Sequence, residues 1–167
     1  MLDHDAEMIE AARSFGYRVF YGDATRLDLL RTAGAANARI LVLAVDDVDQ
    51  SLEIVDLVQA HFPQLQIVAR ARDVTHWNKL RDRGVMRVER EMFESSLLSA
   101  RSVLELLGRS PEDAQQITTR FRQHNLDLFE KLHPHYRDQA KLISVIKEGR
   151  AQLEEQMAQE RAELAKR

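Results

Sequence analysis

"ARILVLAVDDVDQSLEIVDLVQAHF", residues 38–62, joins a near-continuous aliphatic run to two acids and then to an amphipathic stretch. A run such as "ARILVLAV" is typical of a strand buried on both faces in a parallel sheet. The stretch after it places Leu52, Val55, Leu57 and Val58 on one side of a helix, with Pro63 beyond its end. A buried strand that feeds a helix is half of a βαβ unit.

The same alternation extends in both directions. Upstream, residues 5–15 put Met8, Ile9, Ala12 and Phe15 at helical spacing, "YRVFY" reads as a strand, and "RLDLLRTAG" is a short helix ended by Gly34. Downstream, "LQIVARA" is a strand, "DVTHWNKLRDRG" a helix closed by Gly84, and "VMRVE" a last strand. Strand, helix, strand at this spacing gives right-handed crossovers and a parallel sheet. The opening "MLDHD" reads as the tail of a strand, so the chain is expected to start at the second strand of a Rossmann-like sheet. The expected fold is therefore α/β, a Rossmann-like parallel sheet truncated at its N-terminal strand and followed by a helical C-terminal extension.

After residue 90 only helical signals remain. "EMFESSLLSARSVLELLG" is ended by Gly108, and Pro111 opens a second helix with acids in its first turn. "HPHY", residues 133–136, breaks that helix. Residues 138–167 form a charged helix that Gly149 weakens midway; its sparse apolar positions after residue 150 predict a tail that frays or needs a partner. The expected divisions are a nucleotide-binding region at 1–90, a helical region at 91–132 and a charged helix at 133–167.

Bulk composition removes several function classes. The 167 residues carry a net charge of −3 and a pI near 6.1, which argues against nucleic-acid binding. There is no cysteine, so neither a disulfide nor a thiolate metal site can form, which fits a reducing compartment. The six histidines make no H-E-x-x-H cluster, and no metal site is expected. No run approaches the roughly 18–20 apolar residues of a membrane span, and no signal peptide precedes the first acids. Any membrane part would lie elsewhere. No nucleophile elbow or other catalytic set is present, so no enzyme activity is expected.

Ligands of open α/β sheets bind beyond the carboxyl ends of the strands. Asp3 and Asp5, Asp23, and Asp46 and Asp47 all fall at such ends. An acid after the second strand can accept both ribose hydroxyls of an adenine nucleotide, and Asp23 with its neighbour Ala24 would border the adenine. Equally, acids after strands cap the helices that follow. No G-x-G-x-x-G turn is present, so a dinucleotide would lack its backbone cradle. Arg70 and Arg72 in "VARARD" could clamp an anion or form surface ion pairs. Arg87, Arg90, Arg120 and Arg122 could hold a small acidic ligand if they converge, and otherwise form a solvated face.

"VFYGDATRLDLLRTAGA", "HFPQLQIVARARD" and "RGV…RVEREMFESS" together resemble the cytosolic TrkA-N/RCK regulatory domain of Kef glutathione-gated potassium efflux systems. The resemblance runs over about residues 1–130; the GDAT turn alone indicates only the broader RCK class. It implies a potassium–proton antiporter closed by glutathione and opened by glutathione S-conjugates, with its membrane domain ahead of the regulatory domain. The resulting acidification of the cytoplasm protects the cell. It further implies homodimers with the ligand between subunits, AMP or NAD(H) as a structural nucleotide, and a quinone-reductase-like ancillary subunit. The place of action would be the cytoplasmic face of the bacterial inner membrane.

By the same resemblance Arg90 holds a glutathione carboxylate, Asn125 hydrogen-bonds the tripeptide, and Phe15 is the ring that a bulky S-substituent displaces. Arginine is a fixed planar donor for carboxylates, and an asparagine amide both donates and accepts. The absent first strand and glycine-rich turn depart from the family pattern, and without a membrane domain this chain could not itself move ions. An NAD- or ADP-sensing RCK domain of another potassium channel or Trk-type transporter is the alternative, and a truncated dehydrogenase a third.

Overall fold

The computed structural model describes residues 2, 3, 5–17 and 19–164. They form two compact units, Met1–Glu91 and Met92–Arg167. The first unit runs β1 (Leu2–Asp3), α1 (Ala6–Ser14), β2 (Phe20–Tyr21), α2 (Leu27–Thr32), β3 (Ile40–Leu43), α3 (Val48–His61), β4 (Gln66–Ala71), α4 (Val74–Asp82) and β5 (Arg87–Arg90). Helices α2 and α4 end two residues short of Gly34 and Gly84, where the sequence places their stops.

Among the described residues all strand pairs are parallel, in two sheets. In one, Leu2 lies opposite Phe20 and Asp3 opposite Tyr21. In the other, β3–β4–β5 pair in chain order, with Leu43 opposite Ala69 and Ala71 opposite Arg90. In the usual doubly wound order 3-2-1-4-5-6, β2 and β1 take places 3 and 2, and β3 to β5 take places 4 to 6. Among the described residues no strand joins the two sheets.

The covering of β3 corrects one expectation. The aliphatic run at 38–45 is not buried on both faces. Leu43 is buried, while Ile40 and Val42 are 56% and 71% exposed. Alternate strand residues face opposite ways, and α3 and α4 cover only the face that holds Leu43. The core beneath that face is Ile54, Val55 and Val58 from α3, Ala69 and Ala71 from β4, and Trp77 and Leu80 from α4. Each fully buried aliphatic side chain there stabilises the unit by about 1.5–3 kcal/mol. Strand β2 is also shorter than the expected "YRVFY", with its described pairing limited to Phe20 and Tyr21.

In the second unit α5 (Phe93–Leu106) packs on α6 (Pro111–Leu132), and a short 3-10 turn at 133–135 leads to α7 (Gln139–Leu164). Ser110 caps α6 by accepting from the Asp113 amide at 3.1 Å, with Pro111 in the first turn. Ala114 and Thr118 are the buried residues of α6, whereas no residue of α5 is buried.

Gly149, expected to weaken this helix, lies within the unbroken run of α7. A Cβ at that position would sit 2.7 Å from the Leu128 Cδ1, so the glycine lets α7 pack against the Leu128 side chain of α6. The helix runs on to Leu164, and Arg150 pairs with Glu154 at 2.8 Å. Residues 165–167, the end of the predicted tail, lie outside the described residues.

Candidate functional site

Each parallel strand of the first unit delivers its carboxyl end to an acid or a basic residue. After β1, the Asp3 carboxylate accepts the Asp5 amide at 3.0 Å, and the Asp5 carboxylate accepts the Glu7 and Met8 amides at 2.9 and 3.2 Å, capping α1. After β2, the Asp23 carboxylate accepts the Thr25 amide at 2.8 Å. After β3, Asp47 caps α3 through the Gln50 amide at 2.8 Å. Asp73, after β4, caps α4 through the His76 amide at 2.7 Å. A carboxylate at such a cap satisfies amides that have no partner within the helix. Asp73 carries the same signal as the three predicted acid clusters, an acid directly after a strand, yet sequence reasoning passed it over.

Pairing of β1 with β2 brings Asp3 beside the GDAT turn. The Gly22 amide donates to the Asp3 carbonyl at 2.8 Å, extending the ladder by one bond. A Cβ on Gly22 would run into the Leu29 side chain, and its φ of +156° suits glycine. Asp23 and Ala24 are half-buried there. Arg26 and Asp28 form an exposed ion pair at 2.7 Å. The hydrogen bond from Arg26 holds the Asp28 carboxyl below its ordinary value.

Arg70 resolves the choice between anion clamp and ion pair. Its guanidinium donates to the Ala44 carbonyl at 2.9 Å and to the Asp46 carboxylate, and lies 3.5 Å from the Glu91 carboxylate. Asp46 is therefore already engaged from β4. Arg72 is exposed, and its backbone amide donates to the Nδ1 of buried His76 at 3.2 Å. That bond makes Nδ1 the acceptor and leaves Nε2 to donate to the Ser51 Oγ, 3.1 Å away. Burial pushes the His76 imidazole below its ordinary value, against the opposing pull of Asp73.

The three residues expected to meet the tripeptide are spread along the chain. Phe15 follows the last turn of α1 and is 80% exposed. Arg90 ends β5, half-buried, and Asn125 is half-buried on α6 in the second unit. One turn before Asn125, Arg122 pairs with Glu94 of α5 at 2.7 Å. A pocket of about 190 Å³ between α6 and α7 is lined by His124, Asp127, Lys131 and Glu148 among others, and by none of the predicted residues. Among the described residues no group of His, Asp and Glu is placed to hold a metal ion, and no helix is long and apolar enough to cross a membrane.

Carboxylates at three strand exits fit the hydroxyls of a ribose, which need acceptors. The phosphate end is less well served. Amides of the kind a phosphate would use, those of Glu7 and Met8 in the first turn of α1 and of Gln50 in that of α3, already donate to Asp5 and Asp47.

Comparison with known proteins agrees with this division of the chain. The TrkA-N domain family model matches residues 1–91, and the model of the potassium efflux system KefB C-terminal domain matches residues 95–167. The glutathione-regulated potassium-efflux system protein KefC of Escherichia coli (strain E24377A) is 44% identical over 165 residues, as is that of Shigella boydii serotype 18. These alignments take in 99% of this chain but only 27% of each relative. Among solved structures, the AMP-bound Kef C-terminal domain of Shewanella denitrificans superposes with a TM-score of 0.70 at 35% identity, covering 80% of this chain and 95% of that one. The TrkA-N domain of the Escherichia coli inner membrane protein ybaL gives a TM-score of 0.53 at 25% identity, covering 64% of this chain and 76% of that one. The chain belongs to the TrkA-N family and, with the KefB C-terminal domain that follows, has the make-up of a Kef regulatory domain.

Proposed function

We propose that this chain is the ligand-sensing regulatory domain of a glutathione-gated potassium efflux system, not an enzyme. The observation that carries the reading is the direct succession of a TrkA-N half and a KefB C-terminal half in one chain. The second half favours an efflux system over an NAD- or ADP-sensing domain of another potassium channel or Trk-type transporter. AMP or NAD(H) occupies the crevice at the strand exits, bordered by Asp3, Asp5, Asp23, Ala24, Asp46 and Asp47, as a structural nucleotide. Glutathione is the regulatory ligand, held by Arg90 through a carboxylate and by Asn125, with Phe15 displaced by bulky S-substituents. The domain works as a homodimer at the cytoplasmic face of the bacterial inner membrane, beside an antiporter domain and a quinone-reductase-like subunit.

Gating follows from differential binding. Glutathione shifts the dimer toward the closed arrangement and S-conjugates toward the open one, each by no more than its difference in affinity for the two. Calorimetric titration with glutathione and with a bulky S-conjugate, on the wild type and Arg90→Ala, tests the reading. Loss of a charge-assisted carboxylate contact of about 1.5–3 kcal/mol should weaken glutathione roughly tenfold or more. A folded dimer that binds neither ligand would overturn the proposal.

A further inference from the structure

We infer that Arg70 is a positioning residue that couples the nucleotide crevice to Arg90 through Asp46 and Glu91. The inference rests on the function proposed above and adds a link between its two ligands.

One planar guanidinium spans the exits of β3 and β5 from the strand between them. Toward β3 it holds the Ala44 carbonyl and the Asp46 carboxylate. Toward β5 it faces the Glu91 carboxylate at 3.5 Å, a distance too long for a good hydrogen bond. The two arms differ in setting as well as length: the Asp46 side chain is 76% exposed, that of Glu91 33%. The backbone of Glu91 is fixed, because its amide donates to the Ala71 carbonyl at 3.0 Å. Ala71 is also the register partner of Arg90. The last bond of the β4–β5 ladder and the weaker Arg70 arm therefore meet at the residue next to Arg90.

Two carboxylates share one cation here, so they compete for it. A ribose hydroxyl that donates to Asp46 satisfies part of that carboxylate and weakens its hold on Arg70. The guanidinium then closes on Glu91, where charge-assisted bonds shorten to about 2.7–2.9 Å, and firms the strand end that presents Arg90. A nucleotide in the crevice thus strengthens glutathione binding, and linkage requires the reverse effect of equal size.

The test is a ratio. Glutathione affinity is measured by calorimetry on the dimeric protein, without AMP and at saturating AMP, for the wild type, Arg70→Gln and Glu91→Gln. The expected wild-type ratio is about fivefold or more in favour of the AMP-loaded protein. Both variants should bring the ratio close to one, whatever their affinity without AMP. A purely structural role for Arg70 would lower affinity in both conditions and leave the ratio intact. If Arg70→Gln fails to fold, Glu91→Gln decides alone, since it removes one arm and leaves Asp46 paired. A wild-type ratio at or below one, or a ratio that survives either substitution, overturns the inference while leaving the proposed function standing. Absence of glutathione binding by the wild type overturns both.

Discussion

The imidazole of His76 lies 3.1 Å from the hydroxyl of Ser51, and both side chains are fully buried where α4 meets α3. The pair fixes the ring as a neutral tautomer. Nδ1 receives the Arg72 amide and Nε2 supplies the proton to Ser51. A second proton on Nδ1 would face that amide hydrogen, in a site that also disfavours charge by burial.

Stability should therefore depend on pH with a definite sign. The folded-state value of His76 lies below its ordinary 6.5, so the unfolded chain binds the proton more readily. The contribution is fully present above about pH 6.5 and is lost as pH falls toward the folded-state value, with a slope of up to about 1.4 kcal/mol per pH unit. Urea unfolding from about pH 5 to 8 on the wild type and His76→Gln should show the wild-type slope reduced in the variant. The variant should also be about 1–3 kcal/mol less stable near neutrality, from the buried partners it leaves unsatisfied. Equal slopes would remove His76 from this role.

Gly149 gives a prediction of graded size. Alanine there presses on the end of a flexible Leu128 side chain but gains about 1 kcal/mol of helix propensity, so Gly149→Ala should be close to neutral. A larger residue has no such compensation, and Gly149→Leu should cost about 1–3 kcal/mol through overpacking. Adding Leu128→Ala should restore part of that loss, measured as a coupling energy in thermal or denaturant unfolding.

The proposed homodimer has a candidate surface. Leu98, Val103 and Leu106 of α5, with Leu107 just beyond its end, are all more than half exposed, which is unusual for a helix in a monomer. Leu98→Glu combined with Leu106→Glu should shift the protein to monomer in sedimentation velocity. Unfolding free energy of the monomer should move by less than about 0.5 kcal/mol per site, because neither residue is buried. A double variant that remains dimeric would place the interface elsewhere.

Phe15 separates recognition from stability in the same way. Its ring is largely exposed, so Phe15→Ala should leave unfolding within about 0.5 kcal/mol of wild type. It should reduce discrimination between glutathione and bulky conjugates more than it reduces glutathione affinity in parallel titrations. Equal losses for both ligands would count against the displacement role.

Element order and type were legible from sequence wherever period and punctuation agreed. Pro111 and Ser110 mark the start of α6, and glycines follow α2, α4 and α5 at one fixed offset. What escaped depends on contacts distant in sequence. The aliphatic run of β3 cannot report whether an element covers Ile40 and Val42. Ser51 and Ile54 lie on the buried side of α3, outside the stripe of Leu52, Val55, Leu57 and Val58 that apolar spacing picks out. Gly149 reads as a helix weakener until Leu128, far back in the chain, is seen against it. At the candidate site the acids at strand exits were legible, together with their capping alternative. The shared cation at Arg70 was not, because Asp46 and Glu91 meet it only through the register of three strands.

The capped acids carry a last consequence. Asp5 holds two backbone amides and Asp47 one, at 2.8–3.2 Å, so their χ angles are set before any ligand arrives. The rotamer freedom of those side chains is lost on folding rather than on binding. Each carboxylate also keeps acceptor capacity, since it has about four lone-pair sites. A hydroxyl donor reaching either acid meets a preorganised acceptor and loses little further side-chain entropy on binding.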